Sequence, residues 1–347
     1  MTACERVAWL VPVVARFPEM GAFGDKAALL ELIRLELGSE DALETGAVLP
    51  PRRLLHIISA NTAMAGMQSL VRGLILGSLN WCKTPGAGLP RFEEFVKALP
   101  EPLRMLVKVS PTLLPHWLEM ADAVVVFGSD ATVEKFRNET KPGQIFAGYG
   151  NRWSGAVIFS DDDFSSIPSL VRDVCLYDQM GCLSAQIVWL HDSIDVEEYG
   201  TRLTAELGRY GQGNPTAALS FEDAASVARW RLSAEWQTVE HEGNRVWLST
   251  DDPVWGVQLS RQKTPPLSCL HRHVSLQIFS DVPDLGELAS SVSTLGFWPF
   301  SSKNRIQLKS SGASRLCAVG DMQFPQPTWQ QDGFPALGRL VRRQGAG

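Results

Sequence analysis

Apolar and polar positions along this chain follow two periods, and the period changes from stretch to stretch. In "GDKAALLELIRLELG", Gly24 to Gly38, the residues Leu29, Leu30, Ile33 and Leu37 recur at helical spacing. The closing glycine suits the position just past a helix end. "LLHIIS", Leu54 to Ser59, is short, apolar and partly β-branched, which predicts a buried strand. "AMAGMQSLVRGLILG" then predicts a helix rich in small residues, and "PRFEEFVKAL" opens on Pro90, where a first helical turn accepts proline. The sharpest unit is "ADAVVVFGSDATVEKFR", Ala121 to Arg137. Val124 to Phe127 form a continuous buried strand, Gly128 breaks it, and Ser129 or Asp130 caps the next helix.

A strand, a glycine turn and a helix in that order put a helix N-terminus at the carboxyl edge of a parallel sheet, where phosphates and nucleotides bind. "GYGNRWSGAVIFSDDD" supplies another turn and strand. "FSSIPSLVRDVCLYDQ" reads as mostly helical and is expected to deliver Cys182 to the end of that helix. Further on, "AALSFEDAASVARWRLSAEW" predicts a helix capped by Ser220, with Asp223 completing a pattern like a capping box. "NRVWLST", "VWGVQLS" and "HRHVSLQIF" predict strands. Alternation of strands and helices throughout argues an α/β protein of two domains, residues 1–158 and 159–347.

Composition narrows the function classes. The 347 residues are 45% hydrophobic and 20% charged, ordinary for a globular protein with a large core. A net charge of −6 argues against general nucleic-acid binding, while a few local cations still serve a small anionic ligand. The apolar run from Val7 to Ala15 is too short for a bilayer and holds Pro12, so no transmembrane segment is expected, nor a signal peptide. Six scattered cysteines without a CxxC pair predict reduced thiols and a cytoplasmic location.

Several motifs fail on their own terms. "TPGAGLP" lacks the GK[ST] ending of a P-loop, "GYGNRW" lacks dinucleotide-fingerprint spacing, and no GxSxG elbow occurs. Asp161, Asp162 and Asp163 read as a solvated turn before a helix rather than a cation site. Cys269, His271 and His273 alternate, so on a strand they would share one face and could chelate a soft divalent metal. No fourth ligand is identifiable, and no metal centre is predicted. Cys182 taken alone is either a core residue or a nucleophile, and its local sequence leaves both readings open.

The stretches "HIISANTAMAGMQSLVRGLILGSLNWCKTP", "ADAVVVFGSDATVEKFR", "GYGNRWSGAVI", "DVCLYDQMGCLSAQIVWL" and "GASRLCAVGDMQFPQPTWQQDGFPALGRLVRR" together resemble one family. It is the acyl-CoA reductase family typified by the long-chain fatty-acid reductase of bacterial luminescence, within the aldehyde dehydrogenase-like superfamily. The resemblance runs from His56 to Arg343, weakest over 200–290. It implies two Rossmann-type domains with the active site in the cleft between them: a nicotinamide-dinucleotide domain preceded by helices, then a catalytic domain. It assigns Cys182 as the thiol that takes the acyl group and Asn61, in "SANT", as the oxyanion-hole amide. Lys83, followed by Thr84 and Pro85, is similar to the lysine that contacts the adenosine ribose, and Gly128 with Ser129 to the cofactor-binding turn.

Two departures refine that picture. Where hydrolytic aldehyde dehydrogenases carry a general-base glutamate, the matching "GYGNRWS" has no acid, so an acyl-enzyme should persist for hydride delivery. Three residues after Lys83, where many NAD-preferring relatives hold a glutamate, this chain has Gly86, which permits NADPH and leaves NADH open. The resemblance thus implies an NADPH-linked reductase of acyl-CoA in fatty-acid metabolism. An acyl-protein or acyl-phosphate donor is the alternative within enzymes, and a non-catalytic nucleotide-binding subunit the alternative outside them. Expected partners are acyl-CoA, an acyl-donating or aldehyde-accepting enzyme, and a second copy of the chain. The stretch before His56 is shorter than in the luminescence reductases, so no lipid-channel or docking role is carried over to it.

Overall fold

The computed structural model of the chain describes residues 1–61, 63–250 and 254–344. It divides into two compact units, Met1–Asn151 joined by the closing segment from Phe324 onward, and Arg152–Gln323. The sequence reading sets the division at 158 and leaves the closing segment in the second domain; the units divide seven residues earlier, and that segment belongs to the first.

In the first unit, α1 (Ala3–Val14) and α2 (Lys26–Leu37) precede the short strand β1 (Val48–Leu49). Asp25 caps α2, and Gly38, at φ 102°, ends it as its position in the pattern predicts. Then β2 (Arg53–Ile57), α3 (Ala63–Leu76), β3 (Leu79–Lys83), α4 (Pro90–Ala98), α5 (Glu101–Arg104), β4 (Val107–Ser110), α6 (Pro115–Met120), β5 (Ala123–Phe127), α7 (Asp130–Glu139) and β6 (Ile145–Tyr149) follow. Their five-stranded sheet has the order β4-β3-β2-β5-β6, every neighbouring pair parallel. Chain order therefore reverses between β2 and β5, the topological switch point of a doubly wound fold.

Helix α3 runs deep in this unit, and its small residues have a packing reason. A Cβ on Gly73 would lie 1.9 Å from Asn80 Oδ1, so only glycine lets α3 close on β3 there. The contact protects a buried polar chain: His56 Nδ1 meets Ser69 Oγ at 2.8 Å, and His56 Nε2 meets Asn80 Oδ1 at 3.0 Å. Burial lowers the His56 pKa to about 4, which keeps the ring neutral in the core.

The second unit holds β7 (Trp153–Ile158), α8 (Ile167–Cys175), β8 (Ala185–His191), α9 (Val196–Gly213), α10 (Phe221–Glu240), β9 (Arg245–Leu248), β10 (Gly256–Leu259), β11 (His273–Phe279), β12 (Val292–Trp298), α11 (Ser302–Gln307) and β13 (Arg315–Ala318). Its sheet has the order β13-β12-β7-β8-β11-β10-β9, parallel except for the antiparallel edge strand β9. One face packs on α8 and α9 through Leu170, Val174, Tyr199 and Leu203. On the other, Trp153 and Trp189 are buried with Leu295 and Phe297, so these tryptophans are core residues. Asp161, expected in a solvated turn, is buried, and its carboxylate accepts from Ser166 Oγ at 2.6 Å at the start of α8. The closing segment ends in β14 (Arg342–Arg343), paired antiparallel to β1. Glu36 of α2 anchors it by accepting the backbone N–H groups of Ala336, Leu337 and Gly338.

Candidate active site

The carboxyl edge of the five-stranded sheet gathers most of the expected cofactor residues. Ser129 caps α7, its side chain accepting from Thr132 N, and Gly128 carries the turn out of β5. Gly128 still donates to Tyr149 O at 3.2 Å, so the turn is pinned to the end of β6. Lys83 ends β3 half-buried; Thr84 is buried and donates to Ser110 O at 3.0 Å, with Pro85 following. Asn61 is exposed in the connection from β2 to α3. Asn61 and the Gly128–Ser129 turn thus follow β2 and β5, the two strands that flank the switch point. The exposed helix N-terminus at Ser129 has the chemistry to take a phosphate, and the half-buried Lys83, at the end of β3 on the other side of β2, that to take a ribose hydroxyl.

Cys182 lies in the second unit, and not where the sequence reading puts it. Helix α8 stops at Cys175, ahead of three consecutive left-handed residues, Tyr177 (φ 59°), Asp178 (φ 51°) and Gln179 (φ 64°). The chain then turns from Gly181 to Ser184, closed by a 3.0 Å bond from Ser184 N to Gly181 O, and enters β8. Within the turn Leu183 and Ser184 point into the core while Cys182 is exposed.

Long-range bonds fix this turn. Gln179, wholly buried, donates through Nε2 to the carbonyls of Ala185 and His273, each at 2.8 Å, and its Oε1 accepts from His273 N at 2.9 Å. Asp178 pairs with the buried Arg272 at 2.6 Å, and its carbonyl accepts from His271 N. Ser154 Oγ donates to Cys182 O at 2.6 Å, and Gln323 Nε2 donates both to Ser184 Oγ and to the carbonyl of Asp173. Asp173 accepts the backbone N–H groups of Gly320 and Met322; burial pushes its carboxyl up to about 7 against the pull of those two bonds.

The partner of the 177–179 turn is itself left-handed. Leu270, His271 and Arg272 have φ of 68°, 52° and 64°, so Cys269 and His271 precede β11 instead of alternating along it. This corrects the strand on which a shared chelating face with His273 depends. Arg272 and His273 instead hold the Asp178–Gln179 turn, and His273 is kept neutral by burial, its pKa lowered to about 4. Two facing triplets of left-handed non-glycine residues store strain of about 1–3 kcal/mol per residue, which the bonds between them offset. Sequence reasoning singles out Cys182 but not the residues that anchor its turn, Gln179, Arg272, Asp173 and Gln323; the "DQ" before the cysteine is the local trace of that scaffold.

Cys182 also stands apart from the other thiols. It is the exposed cysteine of the six. Burial pushes the thiols of Cys175, Cys269 and Cys317 up to about 12, and those of Cys82 and Cys4 upward as well. A thiolate nucleophile is therefore disfavoured at those five sites.

Among solved structures the fold matches aldehyde dehydrogenases. The putative aldehyde dehydrogenase PutA from Anabaena variabilis aligns with a TM-score of 0.68 at 13% identity, over 99% of this chain and 92% of that one. The NAD-dependent aldehyde dehydrogenase from Sinorhizobium meliloti gives 0.69 at 13% identity, over 100% and 82%. The molecule is thus an α/β protein of aldehyde dehydrogenase-like fold. More narrowly, the chain belongs to the acyl-CoA reductase (LuxC) family, whose pattern matches residues 12–343, and it is an oxidoreductase of the acyl thioester and aldehyde class. That match starts well before His56, where the sequence reading begins it. The long-chain acyl-protein thioester reductase of Vibrio harveyi is 25% identical over 91% of this chain and 70% of its own length. That of Photobacterium phosphoreum is 24% identical over 91% and 69%.

Proposed function

We propose that this chain reduces a long-chain acyl thioester to the aldehyde through an acyl-Cys182 intermediate. The observation that carries the reading is the exposure of Cys182 at the tip of a turn anchored on both sides, while the other five thiols are held protonated by burial. The Cys182 thiolate attacks the thioester carbonyl, its bond to the acyl carbon forming as the donor's carbon–sulfur bond breaks, and the donor leaves as a thiolate that takes a proton from water. By the family resemblance, Asn61 and a backbone N–H beside Cys182 would take the oxyanion, a fixed donor of that kind contributing about 3–4 kcal/mol to the transition state. A reduced nicotinamide, when bound, supplies the hydride. The acyl-Cys182 thioester accepts it as a thiohemiacetal, which expels the aldehyde and returns the thiolate. Gly128 and Ser129 would hold the pyrophosphate, and Lys83, with Thr84 and Pro85 behind it, the adenosine ribose. Gly86, exposed and uncharged, leaves room for a 2′-phosphate without repulsion, which favours NADPH.

The donor is either coenzyme A or a protein thiol. The names of the Vibrio harveyi and Photobacterium phosphoreum relatives favour an acyl-protein donor for this chain too. Six scattered cysteines without a CxxC pair fit work in a reducing cytoplasm. Mixing the purified chain with long-chain acyl-CoA and NADPH, with absorbance and intact mass followed together, tests the reading. Loss of NADPH with a transient acyl adduct on Cys182 supports acyl-CoA as donor. An adduct elsewhere, or turnover without one, overturns the mechanism. Reaction only with an acylated protein assigns the donor to that partner.

A further inference from the structure

Helix α10 has two apolar faces, and the fold uses one of them. Val227, Trp230 and Ala234 are buried beside β9. On the far side Phe221, Ala225, Ala228, Leu232, Trp236 and Val239 step by three or four residues, all of them exposed. At about 100° per residue they fall in one sector roughly 80° wide, a continuous stripe along the helix. Leu232 is 66% exposed, Trp236 63% and Val239 79%. Single exposed apolar residues are normal on a surface, but a stripe of this length marks a contact site.

The charges beside the stripe identify what covers it. Arg229 and Glu240 lie on the same flank, about 60° and 80° round from Leu232. Both are exposed, and neither has an ion-pair partner among the described residues. A two-fold axis crossing the helix in the contact plane sets a second α10 antiparallel and brings each flank against itself. Arg229 of one copy then faces Glu240 of the other, twice, about a centre between Ala234 and Glu235. At about 1.5 Å rise per residue, the same register sets Trp236 beside Leu232 of the second copy and Val239 beside Ala228, a large side chain against a small one. One register thus satisfies the stripe and both charges.

We infer that the exposed face of α10 is a self-association surface, through which two copies of this chain pair antiparallel about a two-fold axis. The inference stands apart from the proposed chemistry. Helices overlapping only from Arg229 to Glu240 bury less than the about 1,200 Å² at which specific, stable interfaces begin, which places the pair among weak, concentration-dependent dimers.

Sedimentation velocity of the full chain from about 1 to 200 μM tests it, a range that brackets a weak dimer. The expected result is a monomer–dimer equilibrium that W236E abolishes. R229E and E240R should each weaken association at least about tenfold, and the combined charge swap should restore it to within about threefold, since the pair is rebuilt with its signs exchanged. E222R, on the same flank but outside the overlap, should leave the equilibrium unchanged. All of these residues are exposed, so unchanged circular dichroism and melting temperature show that each variant folds. A chain monomeric throughout the range, a dimer indifferent to W236E, a charge swap without recovery, or an equal loss in E222R overturns the inference.

Discussion

The two parallel sheets present the residues proposed for function in opposite ways. At the edge of the five-stranded sheet, Gly128 and Ser129 follow β5 directly, and a capped helix N-terminus needs only its own local sequence. At the seven-stranded sheet, the Cys182 turn depends on Gln179, Arg272, Ser154 and Gln323, drawn from across the unit, and on six left-handed residues. A site for a charged, mobile ligand can be assembled from backbone dipoles at low cost. A nucleophile must instead be held still, and stillness at an exposed turn requires distant anchors and tolerated strain.

The largest effect that tests this contrast is on chemistry. Cys182→Ser should lower acyl transfer by at least about a thousandfold, read as acyl adduct by intact mass. Nucleotide affinity, measured by fluorescence titration, should stay within about twofold, because the proposed dinucleotide edge shares no anchor with the turn among the described residues. Loss of both would mean that the two sites are not separable.

Next come the anchors. Asp178→Asn keeps a residue that tolerates the left-handed backbone but leaves the buried Arg272 without its counter-charge, at a cost of about 3–5 kcal/mol in urea unfolding. Gln179→Leu strands the His273 N–H and the carbonyls of Ala185 and His273, at a cost of about 2–4 kcal/mol. Both should also slow acylation of Cys182. Full stability in either variant would break the idea of an anchored turn.

A smaller effect concerns pH. Asp173 keeps its proton in the fold up to about pH 7, against an ordinary value of 3.8, so its contribution to stability is complete below the ordinary value and lost as pH rises towards 7. His56 and His273 act the other way: held near 4 against an ordinary 6.5, they contribute above 6.5 and lose that contribution as pH falls towards 4. The opposing slopes partly cancel in the wild type, each group changing stability by about 1.4 kcal/mol per pH unit while it titrates. Asp173→Asn should therefore gain more stability than the wild type between pH 5 and pH 6.5 in urea unfolding. An equal or smaller gain would show that Asp173 does not retain its proton.

The smallest effect belongs to the simpler edge. Ser129→Ala removes one cap at about 1 kcal/mol and should weaken dinucleotide binding only a few-fold, since backbone N–H groups carry most of the site.

The same contrast explains what the sequence discloses. The β5–α7 unit is legible because a buried strand, a glycine and a capping serine are adjacent, and each acts on its neighbours. The caps at Ser220 and Gly38 are legible for the same reason. Cys182 is visible through family resemblance, but its setting is not: Asp178 and Arg272 are 94 residues apart, and no local pattern pairs them. Helical periodicity runs smoothly into "LYDQ", so the left-handed break after Cys175 leaves no apolar or glycine mark. Alternation at Cys269, His271 and His273 imitates a strand because the period is right, although the backbone at 270–272 turns the other way. Local chemistry is written locally, and the anchored turn is a property of the folded unit.

The anchoring of the closing segment bears on how the chain acquires its structure during synthesis. The carboxylate of Glu36 accepts backbone groups from Ala336 to Gly338, and β1 pairs with β14, so the first unit lacks these contacts until residues 336–343 have been made. The second unit is continuous from Arg152 to Gln323 and has all its strands earlier. The half that is made first is therefore completed after the other, and a chain truncated between Gln323 and Ala336 would hold every residue of the second unit but leave the first unfinished, with the groups around Glu36 and the free edge of β1 open to chaperones and to mispairing.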